Sequence, residues 1–384
     1  MLMKKIIRIT TVSTSLGLLL KGQLKFMSQY YDVLGISSSK GLKEVLEEQA
    51  VRGYAVNMTR RITPLHDFFS LLQLISIFYK EKPDIVHTHT PKAGIIGMLA
   101  AWIARVPVRL HTVAGLPLLV YSGPKRKLLE CVEKLTYWCA NRVYSNSFVM
   151  KDIITEIGLA PMEKIKVIGK GSSNGIDTSF FSPELLPNAR IKIRSELKID
   201  LNDFVFIFVG RIVEDKGVNE LINAFIKILI KYDNIKLILV GSFERDLDPI
   251  NPTTEDEIIK NQSIFHLGFQ KDVRSYMLAA DSLVFPSYRE GFPNVVLQAG
   301  AMGLPAIVTN INGCNEIIEH GLNGVIIPSQ NEKALYESML YFIENKDGII
   351  RKMAAKARPI IAGKFDQQVF WHALLNEYQS FNNV

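Results

Sequence analysis

Two cations flank a glycine turn in the stretch FVGRIVEDKG, residues 208–217. Arg211 follows Gly210 directly, Lys216 precedes Gly217, and an amphipathic helical pattern begins at once. The free backbone N–H groups at a helix start favour phosphate oxygens, and two cations add charge at the same place. The stretch therefore predicts a grip for a diphosphate, although ordinary solvated charges near a helix cap would give the same pattern. It is neither a P-loop nor a GxGxxG fingerprint.

A carboxylate and an amide lie close to a second predicted helix start, in SYREGFPNVVLQAGAMGLPAIVT, residues 287–309. Glu290 and Gly291 follow a buried strand, and Gln298 lies about two turns along a helix that begins near Pro293. Ligands of parallel α/β sheets bind beyond the carboxyl ends of the strands, so we expect Glu290 at a ligand-binding edge. A carboxylate that only interacts with the helix dipole is the alternative.

Two further groups have the composition of metal sites but the wrong context. Asp246 and Asp248 form a DxD pair in a polar segment that no strand feeds directly, so we expect a solvated loop. His87 and His89 share one face of a strand, but no third ligand is near in sequence, and packing is the better interpretation.

The elements that must position these residues alternate between short β-branched runs and amphipathic helical segments, which is typical of parallel sheets covered by helices. The predicted strands fall in two batches. The first batch spans 6–11, 31–37, 54–58, 84–89, 106–112, 141–146 and 164–169, and the second spans 204–210, 235–241, 264–268, 282–287, 305–309 and 324–328.

This order predicts an α/β protein with two doubly wound, Rossmann-like domains that face each other across a cleft. We expect the first domain at 1–175, a linker and entry segment at 176–203, and the second domain at 204–362. The linker is predicted because the sequence around it is rich in Ser, Gly, Asn and Pro. A final helix at 363–384 can return to the first domain or close onto the second.

Composition excludes several classes of protein. The chain has 384 residues, of which 48% are hydrophobic and 22% charged, as in ordinary folded proteins. Its three cysteines, Cys131, Cys139 and Cys314, form no CxxC pair, so a reducing compartment is expected. The longest apolar runs, 68–79 and 95–104, are shorter than the roughly 20 residues that cross a bilayer. The N-terminal apolar stretch, which Arg8 interrupts, is interpreted as a first strand rather than a secretory signal.

The charge is unevenly distributed. Residues 1–180 hold 24 Lys and Arg against 13 Asp and Glu, whereas the rest of the chain holds 21 against 25. A basic half is expected to face a nucleic acid, an anionic membrane or a phosphorylated substrate. Nucleic acid is discounted, because the sequence has no aromatic RNA-binding strand motif, DNA-reading helix or zinc finger.

One basic segment suggests a membrane surface. LPLLVYSGPKRK, residues 116–127, places an apolar patch directly before Lys125, Arg126 and Lys127. Apolar side chains flanked by cations suit an anionic leaflet. We hypothesise that this segment docks on the cytoplasmic leaflet. A buried loop followed by a helix with a basic first turn is the alternative.

Together, these stretches resemble the family 4 glycosyltransferases, which are retaining enzymes of the GT-B fold. The resemblance rests on GRIVEDKG, REGFPNVVLQAGAMGLPAIVT and NGCNEII in the second half and on DIVHTHTPKAG, VRLHTVAG and SNGID in the first. It covers most of the chain. It implies that the second domain holds most of a sugar nucleotide and that the first domain holds most of the acceptor.

The resemblance also implies roles for individual residues. Arg211 and Lys216 would stabilise the leaving diphosphate, and Glu290 would contact hydroxyls of the transferred sugar. His111 would face that sugar from the first domain. Gln298 stands where the EX7E pattern of the family usually has its second glutamate, and its amide can still bond a ribose, although the charge is lost.

Further positions follow from the same resemblance. Lys21 and Gly22 correspond to the glycine-rich first loop and imply an acceptor contact, although the usual double glycine is absent. The remaining implied donor-binding residues are Gly210, Gly241, Leu267, Gly268, Gly291, Phe292, Pro293 and Asn294.

The expected function is retaining, metal-independent transfer of a hexose or N-acetylhexosamine from a nucleotide sugar to a lipid-linked saccharide, in bacterial capsule, O-antigen or exopolysaccharide synthesis. A UDP-sugar is favoured and a GDP-sugar also fits. The expected partners are the sugar nucleotide, a polyprenyl-diphosphate saccharide and the inner face of the cell membrane, with no cofactor and no nucleic acid. A cytoplasmic, peripheral location follows. A sugar-nucleotide-binding module without transfer activity is the alternative, which Gln298 favours.

Overall fold

The computed structural model describes residues 3–59, 63–246 and 248–381. The ends of the predicted first domain and final helix, residues 1–2 and 382–384, lie outside the described residues. The chain divides into two compact units. Unit 1 comprises the described parts of Met1–Gly175 and Gln367–Val384, and unit 2 comprises those of Ile176–Asp366.

Unit 1 alternates strands with helices. Its elements up to the start of unit 2 are β1 (Lys5–Ile9), α1 (Ser13–Leu19), α2 (Gln23–Met27), β2 (Asp32–Ser37), α3 (Leu42–Glu48), β3 (Arg52–Ala55), α4 (Pro64–Glu81), β4 (Ile85–His89), α5 (Pro91–Ile103), β5 (Val108–Val113), α6 (Gly123–Cys139), β6 (Arg142–Ser145), α7 (Phe148–Glu156) and β7 (Ile165–Val167). Short 3₁₀ turns occupy Pro117–Val120 and Met162–Lys164.

The strands of unit 1 form one parallel sheet in the order β3-β2-β1-β4-β5-β6-β7 within the described residues. Successive side chains of a strand point to opposite faces, so both faces of this sheet carry apolar residues that need cover. Ile7 and Val86 belong to a core with residues of α4 to α7, whereas Ile6 belongs to a second core with residues of α1 and α2.

Unit 2 repeats this architecture. Its elements are α8 (Ala189–Glu196), β8 (Phe204–Val209), α9 (Val218–Leu229), β9 (Ile235–Val240), α10 (Pro252–Lys260), β10 (Ile264–His266), α11 (Arg274–Ala279), β11 (Ser282–Phe285), α12 (Asn294–Ala301), β12 (Ala306–Thr309), α13 (Cys314–Ile317), β13 (Gly324–Ile327), α14 (Glu332–Glu344) and α15 (Arg351–Phe365). Single turns of 3₁₀ or π-helix occupy Pro183–Leu185, Glu214–Lys216 and Lys346–Ile350. The parallel strand order is β10-β9-β8-β11-β12-β13 within the described residues.

The segment 176–203 differs from the linker that the sequence predicts. It contains α8, and the stretch before that helix is fixed to the body of unit 2. Arg358 of α15 donates hydrogen bonds to the main-chain oxygens of Phe181 at 2.6 Å and Thr178 at 3.0 Å. These bonds join residues that are far apart in sequence, so the local composition does not reveal them. A segment rich in Ser, Gly and Pro therefore predicts only a hinge.

The last helix, α16 (Gln367–Ser380), belongs to unit 1. Phe370, Trp371, Leu374 and Tyr378 are buried in the same core as α1 and α2. The returning helix therefore completes the apolar cover of one face of the first sheet. Among the helices of the described ranges, none is both long enough and apolar enough to cross a bilayer.

Candidate active site

A lysine and a glutamate that are 74 residues apart in sequence meet at the carboxyl edge of the second sheet. Lys216 follows β8 and Glu290 follows β11, and these two strands are neighbours. The Nζ atom of Lys216 lies 2.6 Å from Oε1 of Glu290. Ser287 donates a hydrogen bond of 3.2 Å to the same oxygen. The lysine side chain is 13% exposed and the glutamate side chain 19%, so this ion pair is largely shielded from water.

Glycine at position 217 makes this meeting possible. Gly217 has a φ of +69°, and a Cβ atom there would lie 2.2 Å from the main-chain oxygen of Pro286. The loop after β8 therefore lies directly against the end of β11. The amide of Tyr288 also donates to the main-chain oxygen of Asp215 at 2.8 Å. Together these contacts hold Lys216 against the loop that carries Glu290.

Arg211 points to a different carboxylate. Its Nη1 atom lies 2.7 Å from Oε2 of Glu244, in the loop after β9, and its side chain is about half exposed. The bond to Glu244 raises the pKa of the Arg211 guanidinium, and the charges of Asp215 and Glu290 add to this effect. Both predicted diphosphate-binding cations are thus paired with carboxylates in this structure.

The other residues predicted to bind the donor are gathered at the same edge. They follow the contiguous strands β10, β9, β8 and β11 or lie at the start of α12 and along it, and they are Gly210, Gly241, Leu267, Gly268, Gly291, Phe292, Pro293, Asn294 and Gln298. The turns after β9 and β10 are joined, because the amide of Gly241 donates to the oxygen of Gly268 at 2.8 Å. The structure thus brings the predicted donor residues to one edge, and their roles stay predictions.

Several residues that support this edge are not apparent from the sequence. Asn312, after β12, donates to the main-chain oxygens of Glu290 at 3.2 Å and Gly291 at 2.5 Å. A ring nitrogen of His266 lies 2.8 Å from the oxygen of Gly241. Asn312 lies in the NGCNEII stretch, so its position after a predicted strand is the only signal that the sequence carries. The loops at this edge are therefore held by side-chain bonds to the main chain as well as by bonds between main-chain atoms.

The two aspartates of the DxD pair differ in environment, and one of them has a structural function. Asp246 is exposed, as expected for a solvated loop, but Asp248 is half-buried and its Oδ2 accepts the amide of Asp215 at 2.8 Å. Asp248 therefore anchors the turn that carries Lys216. Within the residues that the structure describes, no group of three or more His, Cys, Asp and Glu side chains could hold a metal ion.

His111 is buried within unit 1. Its side chain is 2% exposed, and Nδ1 lies 2.8 Å from the hydroxyl of Thr88. Burial lowers the pKa of this histidine to about 3, so the ring is neutral. Gly94 lies against the ring, since a Cβ atom there would be 2.5 Å from Cε1. The geometry of unit 1 thus gives His111 a packing role, and a contact with a donor sugar stays a prediction.

The predicted acceptor contacts at Lys21 and Gly22 lie in a tight turn between α1 and α2. Gly22 has a φ of +77°, and a Cβ atom there would lie 2.7 Å from the ring of Trp371 in α16. The main-chain oxygen of Lys21 accepts a hydrogen bond of 2.9 Å from Asn174. This turn is therefore closed over by α16. Acceptor binding here stays a prediction.

The basic segment forms the start of α6. Lys125, Arg126 and Lys127 lie in or next to its first turn, which has no acidic residue. The Nζ atom of Lys125 is 3.6 Å from the ring centre of Tyr121, and Arg126 pairs with Glu130 at 2.9 Å. Cations near a helix N-terminus are disfavoured by the helix dipole. Their clustering here is therefore unfavourable for the helix itself.

Comparison with known proteins identifies relatives of both units. The family described as glycosyl transferases group 1 matches residues 189–359, and the glycosyl transferase 4-like domain matches residues 31–171. The capsular polysaccharide biosynthesis glycosyltransferase CapM of Staphylococcus aureus is 35% identical, over 98% of this chain and 97% of its own. The UDP-Gal:α-D-GlcNAc-diphosphoundecaprenol α-1,3-galactosyltransferase of Escherichia coli is 29% identical, over 88% of this chain and 86% of its own.

A comparison with solved structures identifies proteins that share this fold. HepE of Anabaena, crystallised in complex with UDP, superposes with a TM-score of 0.81. The two proteins share 21% sequence identity, over 98% of this chain and 100% of the other. At this identity the likeness demonstrates a shared fold and nothing finer.

Proposed function

Since the chain belongs to the group 1 glycosyl transferases, with a glycosyl transferase 4-like domain in unit 1, we propose that it transfers a sugar from a nucleotide sugar to a lipid-linked saccharide. The transfer retains the anomeric configuration and requires no metal ion. The observation that carries this proposal is the meeting of Lys216 with Glu290, beside Arg211, at the carboxyl edge of the second sheet.

The chemistry of these residues suits the departure of a nucleoside diphosphate. Breaking the bond between sugar and diphosphate leaves charge on the phosphate, and fixed cations stabilise that charge most in the transition state. Lys216 and Arg211 supply this charge, and the diphosphate takes over their bonds from Glu290 and Glu244. The carboxylate of Glu290, released from Lys216, can then accept hydrogen bonds from hydroxyls of the transferred sugar.

The donor and acceptor classes follow from the relatives. The name of the Escherichia coli relative specifies UDP-Gal as donor and a diphosphoundecaprenol-linked sugar as acceptor, and that of the Staphylococcus aureus relative specifies capsule synthesis. We therefore favour a UDP-hexose or UDP-N-acetylhexosamine donor and a polyprenyl-diphosphate saccharide acceptor. The pathway is assembly of a bacterial surface polysaccharide.

The decisive experiment is a transfer assay. UDP- and GDP-sugars that raise the unfolding temperature are incubated with polyprenyl-diphosphate saccharides, in the presence and absence of EDTA. We expect turnover with one UDP-sugar, no loss with EDTA, and an NMR coupling of the new anomeric proton that matches the configuration of the donor. Binding of a sugar nucleotide without turnover on any acceptor would favour the binding module. A crystal with UDP bound far from Lys216 would overturn the site assignment.

A lipid-linked acceptor is anchored in a membrane, so the enzyme must reach the membrane surface. We propose that the surface around the start of α6 makes this contact. Leu119, Val120 and Tyr121 are exposed directly before the basic turn. Exposed aromatic and aliphatic side chains beside clustered cations match the interfacial zone of an anionic leaflet. Anionic lipid headgroups would thus offset the unfavourable interaction of these cations with the helix dipole.

Flotation with liposomes that contain anionic lipid tests this assignment. Replacing Lys125, Arg126 and Lys127 by alanine should weaken binding by about tenfold or more, since each cation contributes about 1 kcal/mol near an anionic surface. The matched control replaces Lys192, Lys260 and Lys333, which are exposed lysines of helices in unit 2. Equal binding by the two triple variants would contradict the proposed surface.

A further inference from the structure

A buried serine lies beside the ion pair of the candidate site. Ser287 is fully buried, two residues beyond the end of β11 and three residues before Glu290. Its main-chain oxygen accepts a hydrogen bond of 2.5 Å from the hydroxyl of Thr309, the last residue of the neighbouring strand β12. The backbone of Ser287 is therefore anchored to the second sheet on both sides, which places its hydroxyl at a defined point of the carboxyl edge.

The hydroxyl of Ser287 connects the two members of the ion pair. Its Oγ atom lies 3.4 Å from Nζ of Lys216, which donates to it, and 3.2 Å from Oε1 of Glu290. The main-chain oxygens of Asp215 and Arg289 are within reach as well, at 3.3 Å and 3.1 Å. A serine hydroxyl has a single proton, and a hydrogen bond to an ionised acceptor is roughly twice as strong as one to a neutral acceptor. The carboxylate is therefore the preferred acceptor of this proton.

Both contacts of the Glu290 carboxylate are made by the same oxygen. Lys216 lies 2.6 Å from Oε1, and Ser287 donates to Oε1 as well. In the part of the chain that the structure describes, Oε2 of Glu290 accepts no hydrogen bond. The main chain is held separately, because Asn312 donates to the main-chain oxygen of Glu290 at 3.2 Å. The carboxylate is thus oriented through Oε1, and Oε2 is left available for a ligand.

We propose that Ser287 is a positioning residue, which holds Oε1 of Glu290 so that Oε2 can accept a hydroxyl of the transferred sugar. The inference rests on the proposed function, in which the diphosphate takes Lys216 away from Glu290. The carboxylate then loses one of its two contacts, and the bond from Ser287 is the one that remains. Without this bond the carboxylate would populate several rotamers, and only a fraction of the molecules would present an oxygen to the sugar.

The kinetics of Ser287→Ala test this role. With the preferred UDP-sugar, kcat should fall by about tenfold or more, which is the effect of losing a hydrogen bond to a charged group. The affinity for UDP should remain that of the wild type, because UDP has no sugar for Glu290 to contact. An unchanged kcat would overturn the proposal. A loss of UDP affinity as large as the loss of kcat would also overturn it, since it would indicate general damage to the loop.

Ser282→Ala is the matched control. Ser282 is also fully buried, at the opposite end of β11, and its hydroxyl donates to the main-chain oxygens of Leu283 at 3.2 Å and Pro305 at 3.1 Å. Each variant removes one buried hydroxyl, so both should lower the unfolding temperature, but only Ser287→Ala should lower kcat. Equal losses of kcat in the two variants would contradict a specific role of Ser287.

A double-mutant cycle asks whether Ser287 acts through Glu290. Two residues that act as one unit have effects that do not add. In a Glu290→Ala background, Ser287→Ala should therefore change kcat by much less than it does in the wild type. An equal fold-change in both backgrounds would show that Ser287 acts independently of Glu290.

A crystal structure of the wild-type protein with UDP separates this inference from the proposed function. We expect Lys216 to contact the diphosphate while Oγ of Ser287 stays within hydrogen-bond distance of Oε1 of Glu290. A bound UDP with the Glu290 carboxylate turned away from Ser287 would overturn the positioning role alone. Failure of UDP to bind beside Lys216 would overturn the site assignment, and this inference with it.

Discussion

At the scale of single residues, the candidate site is defined by charges that are already engaged. Lys216 is paired with Glu290, and Arg211 with Glu244. An anionic ligand must therefore displace Glu290 to bind Lys216 and displace Glu244 to bind Arg211. Ligands that bind the two cations weakly should lose this competition, whereas a diphosphate, with two to three negative charges, can replace both carboxylates at once.

Removing either cation tests this view of catalysis. We expect Arg211→Ala and Lys216→Ala each to lower kcat by about 10² to 10³, the cost of losing one electrostatic stabiliser of the leaving group. Arg245→Ala is the control, because Arg245 lies in the same loop as Glu244 but forms its ion pair with Glu255 of α10. Steady-state rates with the preferred donor provide the measurement. Losses below threefold in both variants would refute the assigned role.

A buried carboxyl group in α6 makes the stability of unit 1 depend on pH. Burial raises the pKa of Glu133 from 4.5 to about 7. The folded protein therefore binds this proton more tightly than the unfolded chain does, so the free energy of unfolding falls as the pH rises from about 4.5 to about 7 and stays low above that. The unfolding temperature of Glu133→Gln should fall less than that of the wild type over this range. Glu130→Gln, a partly exposed position on the same helix, should follow the wild type.

The sequence predicts the charged residues of the site better than the residues that hold them. Lys216 and Glu290 are identifiable because each follows a strand and precedes a helix. Asp248 and Asn312 are not, because they act through bonds to main-chain atoms of loops 33 and 22 residues away. Such bonds depend on which strands become neighbours, and no local pattern encodes that order.

At the scale of elements, all thirteen strands expected from β-branched runs are present, with ends that shift by up to three residues. The runs are predictable because strands buried on both faces are almost continuously apolar. Helix α8 is missed for the opposite reason. Its sequence ARIKIRSE is mostly polar, and it is fixed by Arg194, which donates to the oxygens of Ala279 and Asp203.

The contact between the loop after β8 and the end of β11 depends on Gly217. Gly217→Ala should lower the midpoint of urea unfolding of unit 2 more than Gly303→Ala does. Both glycines have positive φ, +69° and +82°, so both variants gain about 1 to 2 kcal/mol of backbone strain, but only Gly217 has another backbone within contact of the new methyl group. Turnover should also fall in Gly217→Ala, because Lys216 would move. Equal midpoints would show that the loop can shift freely.

At the scale of the whole molecule, α16 makes unit 1 discontinuous in sequence. Trp371 contacts Phe26 with ring centres 5.3 Å apart and donates to Asn174 at 2.7 Å. Trp371→Ala should therefore destabilise unit 1 by about 3 to 5 kcal/mol, whereas Val369→Ala, at an exposed position of the same helix, should have an effect within about 0.5 kcal/mol.

Hydrogen exchange can locate this loss. In Trp371→Ala, amide protection should decrease in β1 and β2 and remain unchanged in β8 and β9, because the helix is packed within unit 1. A decrease confined to unit 2 would contradict that packing.

The same connectivity sets the order of events on the ribosome. Unit 2 is encoded between the two parts of unit 1, so a nascent chain holds every residue of unit 2 before Gln367 emerges. At typical elongation rates of 5 to 20 residues per second, the first part of unit 1 waits roughly 10 to 40 s for its last helix. During that interval one apolar face of its sheet lacks the part of its cover that α16 provides. A chaperone that shields nascent chains would therefore bind mainly to the amino-terminal part. The carboxyl-terminal half is thus expected to be the first to fold, although it is synthesised second.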